Sequence, residues 1–433
     1  MNSLPFKNEP MGKGLLRNTT WMILGLGVRF VIQALYFVEI ARSLGASNYG
    51  AFVGVVAIVS IAVPFGALGT GNLLIKNVSR DRTLFRDCWG AALATICVCS
   101  SALLMVVLLV SRFALPAAIP TLLVFLVAGA DLYGLNIVTV SGQAFQAHEQ
   151  LNWTATLNVL LSSGRLMGAA VLIRTHSHPS ALEWGYLYFA ATAAVAVAAV
   201  VLVCVRLGTP SFRTPRSRAD VREGFYFSAG LSAQTIYNDI DKTMLARLSS
   251  LGAAGIYGAA YRLIDVSFAP IAALLYSAYP RFFRAGARGV AASYAYARPL
   301  LLRALGYSTC VCLLLIFSAG LLPHIIGSEY ASSAEALRWL APLPVLKGLH
   351  YFLSDSLTGA GYQPVRTVVQ ACVAVFNVLV NFWLIPAYSW RGAAWSSLAS
   401  DGLLVCAMAT AVFLLSRRSQ VSLRGVVADV QVS

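Results

Sequence analysis

A chain of 433 residues that is 58% hydrophobic and 11% charged, with a mean hydropathy of +0.73, is not a soluble domain, in which about 25% of residues are charged. Its formal net charge of +15 is accounted for by basic loops at the inner face of a membrane, which excludes nucleic acid as the partner. A bilayer span takes about 20 mostly apolar residues, and such runs recur from residue 17 almost to the C-terminus.

Six spans are predicted in the first half, at 17–41, 48–72, 89–111, 116–144, 151–173 and 182–205. They are continuous and longer than the alternating strands of about 10 residues in a membrane barrel. They are therefore read as helices, which satisfy their own backbone groups in lipid. The first run is too long for a cleaved signal peptide, is interrupted by Arg29 and Glu39, and lacks a small-residue cleavage site, so it is read as retained. Pro64 in the second span removes a backbone hydrogen bond and favours a kink. Cys97 and Cys99 are expected to be buried thiols on an apolar helix. Asp131 falls in the fourth span, without an oppositely charged neighbour one turn away, and Arg165 in the fifth.

The arginine-rich stretch "RLGTPSFRTPRSRADVRE" (206–223) leads to six further spans, at 224–246, 255–279, 299–321, 335–359, 364–386 and 392–416. "NDIDK" (238–242) sets Asp239 and Lys242 at i, i+3 on one helix face, with Asp241 directed elsewhere. Arg262 and Asp265 repeat that spacing. Pro270 stands in its span as Pro64 does in the second. "RFFRAGARGVAASYAYARP" (281–299) is expected to form an amphipathic helix on the inner surface. The Cys310/Cys312 pair is again expected to be buried, Lys347 lies mid-span in the tenth helix, and Asp401 falls in the twelfth.

Lysines and arginines cluster at 76–87, 206–223, 281–289 and 416–424, and with the N-terminus inside, 21 of the 32 fall on inner loops and tails. Positive charge marks the cytoplasmic side, which puts both termini inside and implies an even number of spans. The expected organisation is a cytoplasmic tail (1–16), a six-helix bundle (17–205), a basic linker (206–223), a second six-helix bundle (224–416) and a cytoplasmic tail (417–433). The phrase "SLGASNYGA" (43–51) returns as "SLGAAGIYGAA" (250–260), each copy after an Ala-Arg pair and before a proline in an apolar run. Each copy would form the outer turn between the first two helices of its half. That relation is a parallel duplication about an axis along the membrane normal, and interruptions at matching positions make Pro64 and Pro270 hinge candidates.

With "ARSLGASNYGAF", "PFGALGTGNLLIKNVSRD", "YNDIDKTMLARLSSLGAAGIYGAAYRLID" and the "YP" at 279–280, the chain resembles the polysaccharide flippases of the multidrug/oligosaccharidyl-lipid/polysaccharide exporter superfamily. The resemblance runs from "GLLRNTTWMILGLGVRF" to the last helix. It implies an all-α polytopic membrane protein, with two six-helix bundles around a central cavity. It also implies transfer of a polyprenyl-diphosphate-linked oligosaccharide from the inner to the outer leaflet, with polysaccharide polymerase or export proteins as partners beside the membrane lipids.

The residue chemistry points the same way. On insertion scales each cation at a helix centre costs about 2.5–3.5 kcal/mol, so Arg29, Arg165, Lys242, Arg262 and Lys347 are expected to face protein or a wet cavity. A cationic interior suits a diphosphate, which arginine grips bidentately. The bland alternative is ion pairing with Asp131, Asp239, Asp265 or Asp355. Asp131, Asp401 and Asp241 are the candidates for coupling transport to a proton or sodium ion. There is no P-loop, no catalytic set, no metal-ligand spacing and no cofactor motif. A drug antiporter of the same superfamily would call for an acidic cavity. A membrane glycosyltransferase or polymerase would need a large outer domain, whereas the longest outer connection, near 322–334, offers Glu329 as its acidic residue.

Overall fold

The computed structural model describes the backbone of residues 13–432 except 79–80, 177 and 213–217, and most side chains between Gly27 and Arg417. Residues 1–12 of the expected N-terminal tail and 213–217 of the expected linker thus lie outside the described residues. Among the described residues there are helices and turns but no strand. The helices are α1 (Lys13–Ala67), α2 (Thr70–Val78), α3 (Phe85–Ala114), α4 (Thr121–Gly129), α5 (Asn136–Ala147), α6 (Leu151–Thr175), α7 (Ala181–Arg206) and α8 (Arg218–Leu248). Then follow α9 (Leu251–Gly286), α10 (Val290–Ser318), α11 (Leu322–Ile326), α12 (Ser333–Leu340), α13 (Leu343–Gly359), α14 (Gln363–Tyr388) and α15 (Trp390–Val432). A π-helical turn, Ala130–Leu135, joins α4 to α5.

Each predicted span is largely helical, and the chain is an all-α, multi-pass membrane protein. Nine stretches among the described residues are long and apolar enough to cross a bilayer; one of them, Gly27–Val78, contains the first two predicted spans. α8 and α13 are not among the nine. Both are the carriers of buried charge described below, and α13 has only 17 residues.

The breaks have local causes. Gly45, at φ 70° and ψ 170°, interrupts α1 in a conformation that a side chain would resist. The predicted second span divides again at Leu68 and Gly69, both at positive φ. The predicted fourth span starts late because Pro120 caps α4. Two prolines, Pro342 and Pro344, split the tenth span into α12 and α13. α7 opens with a capping box: the Glu183 backbone N–H donates to Ser180 Oγ at 3.3 Å, and the Ser180 N–H to Glu183 Oε2 at 2.7 Å.

Two expectations are corrected. Residues 281–299 do not form one surface helix: 281–286 end α9, Gly289 turns at φ 100°, and α10 begins at Val290. Phe282, Val290 and Ala297 are buried, so the apolar side of this stretch packs into the fold and not onto a surface. Nor are the C-x-C thiols buried. Cys97 and Cys310 are exposed, and Cys99 and Cys312 are intermediate; an apolar helix in a membrane protein turns much of its apolar surface outward.

The chain divides into two compact units. The first comprises 1–43, 62–110 and 120–229; the second comprises 44–61, 111–119 and 230–433. The first unit is built around the fully buried Trp89, Phe145 and Ile96. It also supplies side-chain donors to carbonyls near the C-terminal end of α1. Asn136 Nδ2 donates to the Val63 carbonyl at 3.0 Å, and Ser228 Oγ to the Pro64 carbonyl at 2.8 Å.

The second unit holds the repeated phrase from Leu44 onward in its first copy and all of the second copy, packed against one another. A methyl at Gly50 would overlap the Leu251 carbonyl, and one at Gly255 would overlap the Ala46 carbonyl. The two helix starts are capped differently. Ser250 Oγ accepts from the Ala253 N–H at 3.1 Å, whereas the Ala46 N–H donates to Glu329 Oε2 at 3.0 Å. Ser232 Oγ donates to the Ile61 carbonyl at 2.7 Å and Thr243 Oγ1 to the Gly54 carbonyl at 3.0 Å, fixing this segment of α1 along α8. Pro270 lies exposed on α9.

Candidate functional site: a buried charged network

Four helices of the second unit bring their polar residues to one place. α8 supplies Asp239, Asp241 and Lys242; α9 supplies Tyr257 and Tyr261; α13 supplies Lys347 and His350; α15 supplies Ser397 and Asp401. The i, i+3 and i, i+4 spacings on α9, α13 and α15 align each pair on one face. Asp241, Lys242, Lys347, His350 and Asp401 are all buried, at 1%, 7%, 5%, 0% and 5% exposure. Such burial is costly unless each charge is partnered.

The partners are specific. The Asp241 carboxylate accepts from the Tyr257 hydroxyl, from Ser397 Oγ at 3.1 Å and from the Lys242 backbone N–H at 2.8 Å. Lys242 pairs with Asp239, the contact expected from their spacing. The Lys242 ammonium also stands 4.1 Å from the centroid of the Tyr261 ring, and that of Lys347 4.7 Å from the same centroid. Lys347 Nζ donates to Tyr261 Oη at 2.7 Å. Two cations thus share one aromatic ring, an attraction worth about 2 kcal/mol or more when desolvated. Among the described residues no carboxylate forms an ion pair with Lys347, so its charge is balanced by dipoles and a ring. On α14 and α15, Asn377 Nδ2 donates to Ser396 and Ser400 at 3.2 and 3.0 Å.

The first unit has a smaller network. Asp131, in the π-helical turn, accepts from Arg165 Nη2 at 3.2 Å and from the Tyr188 hydroxyl at 2.8 Å. The Arg165 guanidinium lies 4.1 Å from the centroid of the Tyr188 ring. Asp131 and Arg165, singled out in different spans, are therefore brought together as an ion pair. Arg29 is half-buried, and its Nη1 donates to Asn158 Oδ1 at 3.2 Å. Arg262 is half-buried on α9 beside Tyr261, while Asp265 is exposed. Asp355, weighed as a partner for the interior cations, pairs instead with Arg366 at 2.9 Å. No group of three or more His, Cys, Asp or Glu that could hold a metal occurs among the described residues.

Tyr261 and His350 are functional candidates that the sequence reading missed. The signal for His350 was its place one turn after Lys347 on the same face. For Tyr261, nothing short of the fold places it between two lysines.

Solved structures share the fold. An inward-facing multidrug resistance MATE family transporter of the MOP superfamily superposes with a TM-score of 0.73 at 14% identity, covering 92% of this chain and 99% of that one. An outward-facing structure of a transporter so described gives 0.66 at 14% identity, covering 93% and 96%. A MOP superfamily transporter from Pyrococcus furiosus, described as having a binding pocket of reverse polarity, gives 0.65 at 14% identity, covering 94% and 100%. No curated protein matches the chain in sequence. Residues 15–285, more than half of its length, match the family described as "Polysaccharide biosynthesis protein". The fold is that of transporters, and the chain belongs to the polysaccharide biosynthesis protein family.

Proposed function

We propose that this protein transfers a polyprenyl-diphosphate-linked oligosaccharide from the inner to the outer leaflet of the bacterial plasma membrane, by alternating access, for surface polysaccharide assembly. Membership of the polysaccharide biosynthesis family and a transporter fold support a translocation step in that process. The observation that carries the choice of an anionic substrate is the pair Lys242 and Lys347 on the Tyr261 ring. A diphosphate oxygen about 4 Å from one ammonium gains roughly 4 kcal/mol at an effective dielectric near 20, before desolvation is subtracted. Arg29 and Arg262 are further contacts on this reading. Arg165 is more fully committed to Asp131 and Tyr188. Both termini are cytoplasmic, and the driving force is a proton or sodium gradient, with Asp131, Asp241 and Asp401 as its candidate carriers. Polymerase or export proteins take the glycan onward.

The test is a gene deletion followed by complementation. Lipid-linked saccharide should accumulate on the inner leaflet, and wild-type protein should restore surface glycan while a stably expressed Lys242→Glu, Lys347→Glu variant should not. Normal leaflet distribution in the deletion strain, with heightened sensitivity to cationic drugs, would support the antiporter reading that the multidrug neighbours suggest.

A further inference from the structure

We propose that His350 and Asp401 form a proton-binding site inside the second unit, loading and releasing one proton as a pair. His350 is wholly buried and Asp401 nearly so. His350 Nε2 lies 3.0 Å from Asp401 Oδ1, yet Nε2, Nδ1 and that oxygen all lack a hydrogen bond of good geometry. Buried polar atoms without such a bond are rare and ask for a reason. Two facing heteroatoms at this distance can share a proton: a small rotation of the imidazole converts the contact into a charge-assisted bond. Histidine is also the side chain whose charge changes near neutral pH.

The surroundings make the pair's charge matter. Tyr237 of α8 stacks edge-on against the His350 ring, with centroids 6.4 Å apart, and Tyr351 of α13 lies at 4.6 Å. Tyr257 and Tyr261 of α9 interact electrostatically with Asp401. Arg366 of α14 acts on Tyr237, and α10 presents the uncharged Ser308 near Gly348. Lys347 lies one turn from His350 on α13. From Asp401, one turn back along α15, Ser397 reaches Asp241 and Tyr257. Adding a proton to the pair therefore adds positive charge beside Lys347. By linkage, an anion held at Lys347 binds more tightly when the pair is loaded, and its binding draws a proton in. The site stands on its own geometry; its role in moving an anionic lipid rests on the function proposed above.

The experiment uses full-length protein labelled with nitrogen-15 histidine. His350 is one of five histidines, and its ring signals are those lost in His350→Gln. They should pass from a neutral to a doubly protonated ring as the pH is lowered across the range in which the protein stays folded, and Asp401→Asn should displace or abolish that passage. A ring that keeps one neutral form throughout would overturn the site. If Asp401→Asn fails to fold, the wild-type titration alone decides. A second measurement adds inorganic diphosphate to weakly buffered protein and follows a pH-indicator dye. Diphosphate also exchanges protons of its own on binding, so the readout is the difference: wild type should take up more than His350→Gln by a sizeable fraction of one proton per chain. Persistent His350 titration without that difference, while diphosphate binds, would overturn the link to Lys347; absence of diphosphate binding would count against the proposed function and leave the titration to judge the site.

Discussion

Gly50 of α1 and Gly255 of α9 meet backbone to backbone in the second unit, so that a side chain on either would overlap the backbone of the other helix. Each copy of the repeated phrase thus supplies one of the glycines at which two helices touch. Small residues permit such approach, and in a membrane interior packing of this kind substitutes for the missing hydrophobic drive.

Gly50→Val and Gly255→Val should each lower stability by about 1–3 kcal/mol through overpacking. Gly252→Ala is the control, because its added methyl would find neighbours at ordinary distances of 3.8 and 4.0 Å. Thermal unfolding of the detergent-purified proteins checks the ranking, and equal losses at all three positions would remove the close crossing as the cause.

The Asp131–Arg165 pair predicts coupled losses. Asp131→Asn leaves a buried guanidinium without its carboxylate and should cost about 3 kcal/mol. Arg165→Met should cost a similar amount, and the double variant less than the sum. A double-mutant cycle by chemical denaturation measures the coupling; strict additivity would mean that Tyr188, and not the ion pair, holds Asp131.

Charge at the candidate cations should be read separately from shape. Arg29→Glu should abolish glycan export at normal protein levels, while Arg29→Lys should retain part of it because charge survives and bidentate geometry does not. Surface-glycan complementation beside a blot for folded protein reports both, and full export by Arg29→Glu, Lys347→Glu would rule out a cationic substrate path.

Topology is open to direct labelling. Tags at 214 and at the C-terminus should be reached from the cytoplasm, and a tag at 177 from outside; positions 214 and 177 lie outside the described residues. Labelling of 214 from the periplasm would overturn the assigned orientation.

Helical character was legible in the sequence because apolar runs of span length are local signals. The Asp239–Lys242 pair was legible for the same reason, since i, i+3 geometry is internal to a helix. Asp131 and Arg165 were each singled out, but their meeting required two helices to be aligned. Tyr261 was invisible because its role is set by lysines on two other helices. The division of the tenth span could have been read from Pro342 and Pro344. The cysteine expectation erred on a physical assumption: apolar was equated with interior, which a lipid solvent inverts.

The segment 44–61 has a consequence for biosynthesis. It leaves the ribosome among residues of the first unit, yet its packing partners belong to the second. The amide at Ala46 waits for a carboxylate 283 positions later in the chain. This piece of α1 must enter the bilayer before anything exists to hold it, and its docking is a late event of synthesis. Cutting the chain within 206–223 would therefore leave two fragments, neither carrying a whole unit, since 44–61 stays with one fragment and 224–229 with the other. The two units are therefore completed only by chain from both sides of 206–223.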